Sequence, residues 1–181
     1  MRAFRQILRT TVLAAFRVSV ELEDSVVTRL RGGRVIVVAN HVSLLDGVLV
    51  ALASPVPLMF GVDPDYARHS RFAMAGMRAL TRMGFGDVVP LDRNSPYSMR
   101  TLSQRLNRDE AVMLFPEGAI GTGAAPLPDR PGVAWLSQRT GATIVYVQIR
   151  GAEQSRLFAK AGKRWWPTIT LTFGRHLEPV R

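Results

Sequence analysis

The chain has no cysteine among its 181 residues. That excludes a disulfide framework, a thiolate metal site and a cysteine nucleophile, and it fits a reducing compartment. Long apolar runs are also missing. No segment reaches the roughly 18 apolar residues that a bilayer-spanning helix needs. The N-terminus lacks the uninterrupted apolar core of a secretory signal, because Arg5, Arg9 and Arg17 break it up. The expectation is a protein that stays on the side of the membrane where it is made. Acidic residues are scarce: 14 Asp and Glu stand against 24 Lys and Arg, a net charge of +10. Such a field attracts nucleic acid, anionic lipid or an acidic carrier protein, and charge alone does not choose among them.

What is present is globular. The hydrophobic fraction is 47%, within the range of a folded chain, and the length suits one domain with its own core. Neither an internal repeat nor an interdomain linker is visible, so residues 1–181 read as one domain with a core from about 30 to 178. Val35 to Ala39 is a short β-branched run after Gly32-Gly33 and reads as a strand buried on both faces. Ser43 is placed as the N-cap of a helix carrying Leu44, Leu45, Val48, Leu49 and Leu52. Further strands are expected at Leu58–Val62, Asp87–Leu91, Ala111–Phe115, Thr143–Ile149 and Pro167–Phe173. Helices are expected over 72–83, 97–107 and 133–140, with Met74, Met77 and Leu80 as core filler. A loop rich in Gly, Ala and Pro covers 118–132. Alternating strands and helices predict an α/β fold, a mixed sheet flanked by helices.

Residues 1–18 read as a basic amphipathic helix, with Met1, Phe4, Ile7, Leu8, Val12 and Ala15 at helical spacing and Arg2, Arg5 and Arg9 mainly opposite. A helix packed on the domain with a solvated basic face and an interfacial helix on anionic lipid both fit. A second basic cluster, Arg150, Arg156, Lys160, Lys163 and Arg164, adjoins Trp165-Trp166. It suits a lipid headgroup interface. Stacking on single-stranded nucleic acid is a distant second, since no nucleic-acid motif accompanies it. A solvated face over partly buried tryptophans stays open.

Sites in open α/β sheets form beyond the carboxyl ends of strands, and three of the expected strands end in polar residues or sharp turns. The first ends at Asn40-His41-Val42-Ser43-Leu44-Leu45-Asp46. A carboxylate there can hold one imidazole nitrogen while the other takes a proton. A His and an Asp that merely close a strand-to-helix turn fit as well. The second runs Val89-Pro90-Leu91-Asp92-Arg93-Asn94, where an Arg can fork onto a phosphate or be a surface residue in a turn. The third is Phe115-Pro116-Glu117-Gly118. Its Gly permits close approach of a ligand, and its Glu either binds a hydroxyl or pairs with Arg93.

Taken in order, these three blocks resemble the glycerolipid acyltransferase family, which includes the lysophosphatidic acid acyltransferases. Gly151-Ala152-Glu153 and the Thr-Gly-Ala-Thr at 140–143 extend a similarity to the acyltransferase half of the bifunctional 2-acylglycerophosphoethanolamine acyltransferase/acyl-carrier-protein synthetase. The resemblance implies transfer of a fatty acyl group from acyl-carrier protein or coenzyme A to a lysophospholipid hydroxyl. It implies no metal or other cofactor beyond that thioester co-substrate. It makes His41 the general base and Asp46 its orienter, and it assigns Asn40, Ser43, Arg93, Glu117 and Gly118 to the substrate. The place implied is the cytoplasmic face of the cell membrane, with the protein peripheral. The chain departs from the family at Ala119-Ile120-Gly121, where a basic run is usual, and at Tyr146, where a Pro is usual. These departures bear on the acceptor more than on the reaction, and they leave a catalytically weakened lipid-binding module as an alternative.

Overall fold

The computed structural model describes residues 2–62, 71–91, 96–121 and 131–177. In chain order the elements are α1 (Arg2–Ala15), β1 (Val18–Leu22), α2 (Asp24–Arg31), β2 (Val35–Ala39), α3 (Asp46–Ala53), β3 (Leu58–Val62) and α4 (Arg71–Arg82). They continue with β4 (Gly86–Pro90), α5 (Pro96–Leu106), β5 (Ala111–Leu114), α6 (Gly132–Thr140), β6 (Thr143–Arg150) and β7 (Ile169–Leu177). The strands form one seven-stranded sheet ordered β1-β7-β6-β2-β5-β3-β4. The run from β6 to β4 is parallel. β7 lies antiparallel to β6, and β1 is parallel to β7, so the sheet is mixed.

β2 shows why the sheet is covered on both sides. All of its residues are buried, and successive side chains point to opposite faces. Val35, Val37 and Ala39 join a core with Leu30 of α2, Leu49 and Leu52 of α3 and Met77 and Leu80 of α4. Ile36 and Val38 join a second core with Leu102 and Leu106 of α5 and Leu136 of α6. Each such Leu, fully buried, contributes roughly 1.5–3 kcal/mol. The central parallel strands β2 and β5 therefore read as unbroken apolar runs.

Two elements were not expected, β1 and α2. β1 is an edge strand of alternating burial, and α2 is only eight residues long and buries Val26 and Leu30. Weak, short patterns of this kind give little periodic signal. The first helix also ends sooner than the expected residue 18, at Ala15, because Arg17 adopts a left-handed φ of 52° and starts the turn into β1.

The orientation of α1 corrects the expectation of a free basic face. Arg9 donates to the Ala53 carbonyl at the end of α3, 2.6 Å away, where a cation meets the negative pole of that helix. The Arg5 guanidinium lies 4.8 Å from the Phe85 ring centre. Both therefore turn toward the domain together with Leu8, Val12 and Leu13. The outward arc is Ala3, Phe4, Ile7, Thr10, Thr11 and Ala14, all exposed and all uncharged. Phe4 is 61% and Ile7 64% exposed.

Candidate active site

β2 ends at Ala39, and the next residue extends the sheet with its side chain. The Asn40 amide donates to the Ile149 carbonyl (2.9 Å) and accepts from the Ile149 N–H (2.8 Å). It continues the β2–β6 ladder while the backbone turns away. Asn40, expected at the substrate, thus holds β6 in place.

The turn that follows has four successive amides, each with a specific partner. Val42 and Ser43 donate to Asp46 Oδ2 at 2.7 and 2.8 Å. Leu44 donates to the Phe158 carbonyl at 2.8 Å, and Leu45 to the Ser43 hydroxyl at 3.0 Å. This arrangement corrects the expected cap. Ser43 does not start a helix, because Asp46 gathers the amides ahead of it into a tight turn. α3 begins only at Asp46, with Leu45 in the capping position and no side-chain cap.

His41 and Asp46 are brought together as expected. His41 Nδ1 lies 2.9 Å from Asp46 Oδ2. That oxygen already accepts two backbone N–H groups, so it acts as acceptor to the ring as well. Two further contacts fix the imidazole and its backbone. The Phe115 ring stacks on it at 4.2 Å between centroids and 20° between planes, and the His41 carbonyl accepts from Gly121 N–H at 2.7 Å. The Asp46 carboxyl is wholly buried. Burial pushes it above the ordinary carboxylate range, and the His41 ring and the two backbone amides oppose that rise. Its second oxygen, Oδ1, has no hydrogen-bond partner among the described residues.

The third motif arrives because β5 neighbours β2 in parallel register, with Leu114 opposite Val38. The two strand ends then lie side by side, which sets Phe115 against His41. Gly118 closes a turn by donating to the Phe115 carbonyl (3.0 Å), at a φ of 65° that favours glycine. Glu117 in the same turn is half-buried. Of the second motif, Leu91 is in place, donating to the Val62 carbonyl at 2.8 Å. Arg93 lies outside the described residues, and so does its expected pairing with Glu117.

Beside His41 lies a cavity of about 110 Å³, lined also by Leu44, Phe60, Met74, Met77, Leu91 and Phe115, with Gly118 and Ala119. Its walls are apolar, and Gly61 lets β3 pack closely at its edge: a Cβ there would lie 3.0 Å from Leu114 and 3.3 Å from Leu91. Sequence reasoning missed this cavity and treated Met74 and Met77 as filler alone. It also missed the Phe115 stack. The one signal was the glycine inside the β3 pattern, which marks close approach. At the departures from the family pattern, Ala119 lines the cavity and Ile120 is buried, so that position packs inward.

A buried carboxylate, an imidazole held on it and an apolar chamber alongside can take a proton from a hydroxyl while an apolar group lies next to it. A family model described as "Acyltransferase" matches residues 17–150. Among solved structures, the chain is similar to the 1-acyl-sn-glycerophosphate (LPA) acyltransferase PlsC from Thermotoga maritima. The match has a TM-score of 0.64 at 18% identity, and covers 98% of this chain and 68% of that one. At that identity the likeness is one of fold.

Proposed function

The chain belongs to the acyltransferase family, and from that premise we propose that it moves a fatty acyl group from acyl-carrier protein or coenzyme A onto a lysophospholipid hydroxyl. His41 Nδ1 donates to Asp46, so Nε2 is the nitrogen that takes the hydroxyl proton. The oxygen attacks the thioester carbonyl, the tetrahedral intermediate collapses, the C–S bond breaks, and the leaving thiolate recovers the proton from the imidazolium. An ester and a thiol result, and the thioester is the only co-substrate. The observation that carries this reading is the buried His41–Asp46 pair opening on an apolar cavity at the carboxyl ends of β2 and β5. The cavity suits the part of the acyl chain next to the thioester. The lysophosphatidic acid named as acceptor of the PlsC neighbour supports a lysophospholipid. Arg93, Glu117 and Gly118 take its head group in this proposal, and Ser43 shapes the turn. A net charge of +10 suits an acidic carrier protein as donor.

The same reading places the protein peripherally on the cytoplasmic face of the membrane. No helix among the described residues is long and apolar enough to cross a bilayer. The uncharged outward arc of α1, with Phe4 and Ile7, enters the lipid surface, and Arg156, Lys160, Lys163 and Arg164, all exposed, meet anionic headgroups. Each such cation contributes about 1 kcal/mol near an anionic surface.

The test is thioester consumption with a panel of lysophospholipids, the ethanolamine head group included, with products read by mass spectrometry. Acceptor-dependent thiol release supports the enzyme. Lipid binding without turnover would identify a weakened binding module instead.

A further inference from the structure

The turn that carries His41 has two sides. On one, His41, Leu44 and Val48 line the apolar cavity. On the other, Ser43 and Leu45 line a second cleft together with Phe16, Phe158 and Trp166. Apart from Phe16, which follows α1, that second wall comes from residues 151–168, which join β6 to β7 and take no part in the three motifs. A backbone bond ties the wall to the turn, from Leu44 N–H to the Phe158 carbonyl at 2.8 Å. Of the four successive turn amides, Leu44 alone is held from outside the turn; Val42, Ser43 and Leu45 all donate to Asp46 or Ser43.

The Phe158 carbonyl is therefore the external reference for the turn amides, as Gly121 N–H is for the His41 carbonyl, and it is flanked by rings. Phe16 meets Phe158 edge-on, with centroids 6.2 Å apart at 64°, and stacks on Trp166 at 5.6 Å and 11°. Trp166 is pinned in turn by its indole N–H, which donates to the Ala15 carbonyl at the end of α1 (2.7 Å). The base of the segment is held by Gly151, at a φ of 86° where a Cβ would meet the Thr168 carbonyl at 2.1 Å. Trp166 is itself 50% exposed, so its burial supplies little core stability. Its contacts are directional instead: a hydrogen bond that anchors it to the end of α1, and a stack that leads through Phe16 and Phe158 to the His41 turn.

We propose that Trp166 is a positioning residue for proton transfer, acting through Phe16 and Phe158 to hold the Leu44 amide and so to fix His41 beside the cavity. The proposal rests on His41 being the general base. Loss of the indole frees Phe16 to repack, lets the Phe158 carbonyl move, and leaves the Leu44 stretch of the turn without its hold from that wall, while Gly121 and Phe115 still hold His41 from the other side.

The experiment uses the full chain with Trp166→Ala and Trp166→Phe. Amide exchange followed by NMR reads the turn directly, with Val37 in the centre of the sheet as the reference for global opening. In Trp166→Ala the Leu44 amide exchanges on the order of tenfold faster while Val37 does not change. With a soluble thioester and lysophospholipid, kcat falls about tenfold and the acceptor KM stays within about twofold, since the acceptor is not touched. Trp166→Phe keeps the stack and recovers most of both quantities. An unchanged Leu44 exchange rate overturns the proposal, as does a rise at Leu44 matched by an equal rise at Val37. Equal defects in the Phe and Ala variants overturn it too. The exchange result stands without any turnover. A parent protein that transfers no acyl group would sink the acyltransferase reading, and the two failures are told apart.

Discussion

Replacing Asp46 by Asn separates chemistry from architecture, because a single carboxylate oxygen carries every hydrogen bond. Oδ2 accepts from Val42, Ser43 and the His41 ring, and Oδ1 accepts from nothing described. An Asn side chain turns its oxygen toward the two backbone amides, which can only donate. The imidazole then keeps its tautomer, and only the negative charge is lost. At an effective dielectric constant of 20 and about 4 Å between charges, that charge stabilises the imidazolium by about 4 kcal/mol. With the proton partly transferred in the transition state, the loss of kcat is on the order of 10²–10³. Asp46→Ala removes the oxygen as well and leaves two buried backbone donors unpaired, at about 1–3 kcal/mol each.

Stability moves the other way. Burial raises the folded carboxyl above its ordinary range, so the folded state binds more protons than the unfolded one between the two pKa values. Asp46 therefore lowers stability as pH rises from the ordinary carboxylate range through its folded value, and the penalty is complete above it. Asn removes this slope. Expected at neutral pH are a Tm for Asp46→Asn at or above the parent's, a clearly lower Tm for Asp46→Ala, and a large turnover defect in both. Thermal melts at several pH values and turnover per folded molecule check this. Full turnover in folded Asp46→Asn, or equal Tm losses in the two variants, would refute the single-oxygen argument.

Three further outcomes are expected. Phe115→Leu removes the stack on His41, worth about 0.5–1.5 kcal/mol, so kcat should fall roughly two- to tenfold and Phe115→Tyr should restore it; steady-state kinetics read both. Phe4→Glu with Ile7→Glu places charge on the outward arc of α1 and should weaken sedimentation with anionic vesicles at least about tenfold, whereas high salt should weaken the parent only in part, because Arg5 and Arg9 face inward. Arg93→Lys keeps the charge and loses the planar fork, so the lysophospholipid KM should rise, with little change for an acceptor that carries no phosphate.

Much of the fold was legible because β2 and β5 are buried on both faces and carry unbroken apolar runs, and β6 opens with a buried stretch of the same kind. β1 and α2 were not, since a half-buried edge strand and a two-turn helix have little pattern to read. The His41–Asp46 pair was legible from its spacing at a strand end. Its local geometry was not: a carboxylate that collects upstream amides competes with helix initiation, and Ser43 lost its expected capping role to that competition. The roles of Asn40, Arg5 and Arg9 depend on partners at Ile149, Phe85 and Ala53, which are distant in sequence. Amphipathic spacing put the arginines of α1 on the free face; tertiary contacts at Phe85 and Ala53 turned two of them inward. The apolar cavity draws on β3, α4 and the β5 turn, and no single stretch of sequence encodes it.

The central claim is that His41 takes the proton of the acceptor hydroxyl. Thiol release and ester formation from a defined thioester and lysophospholipid, measured per folded molecule in His41→Ala against the parent, test it most directly. The account predicts a loss on the order of 10²–10⁴, the usual worth of a positioned general base, with vesicle binding retained. Parental turnover per folded molecule in His41→Ala would contradict the mechanism and leave only the fold.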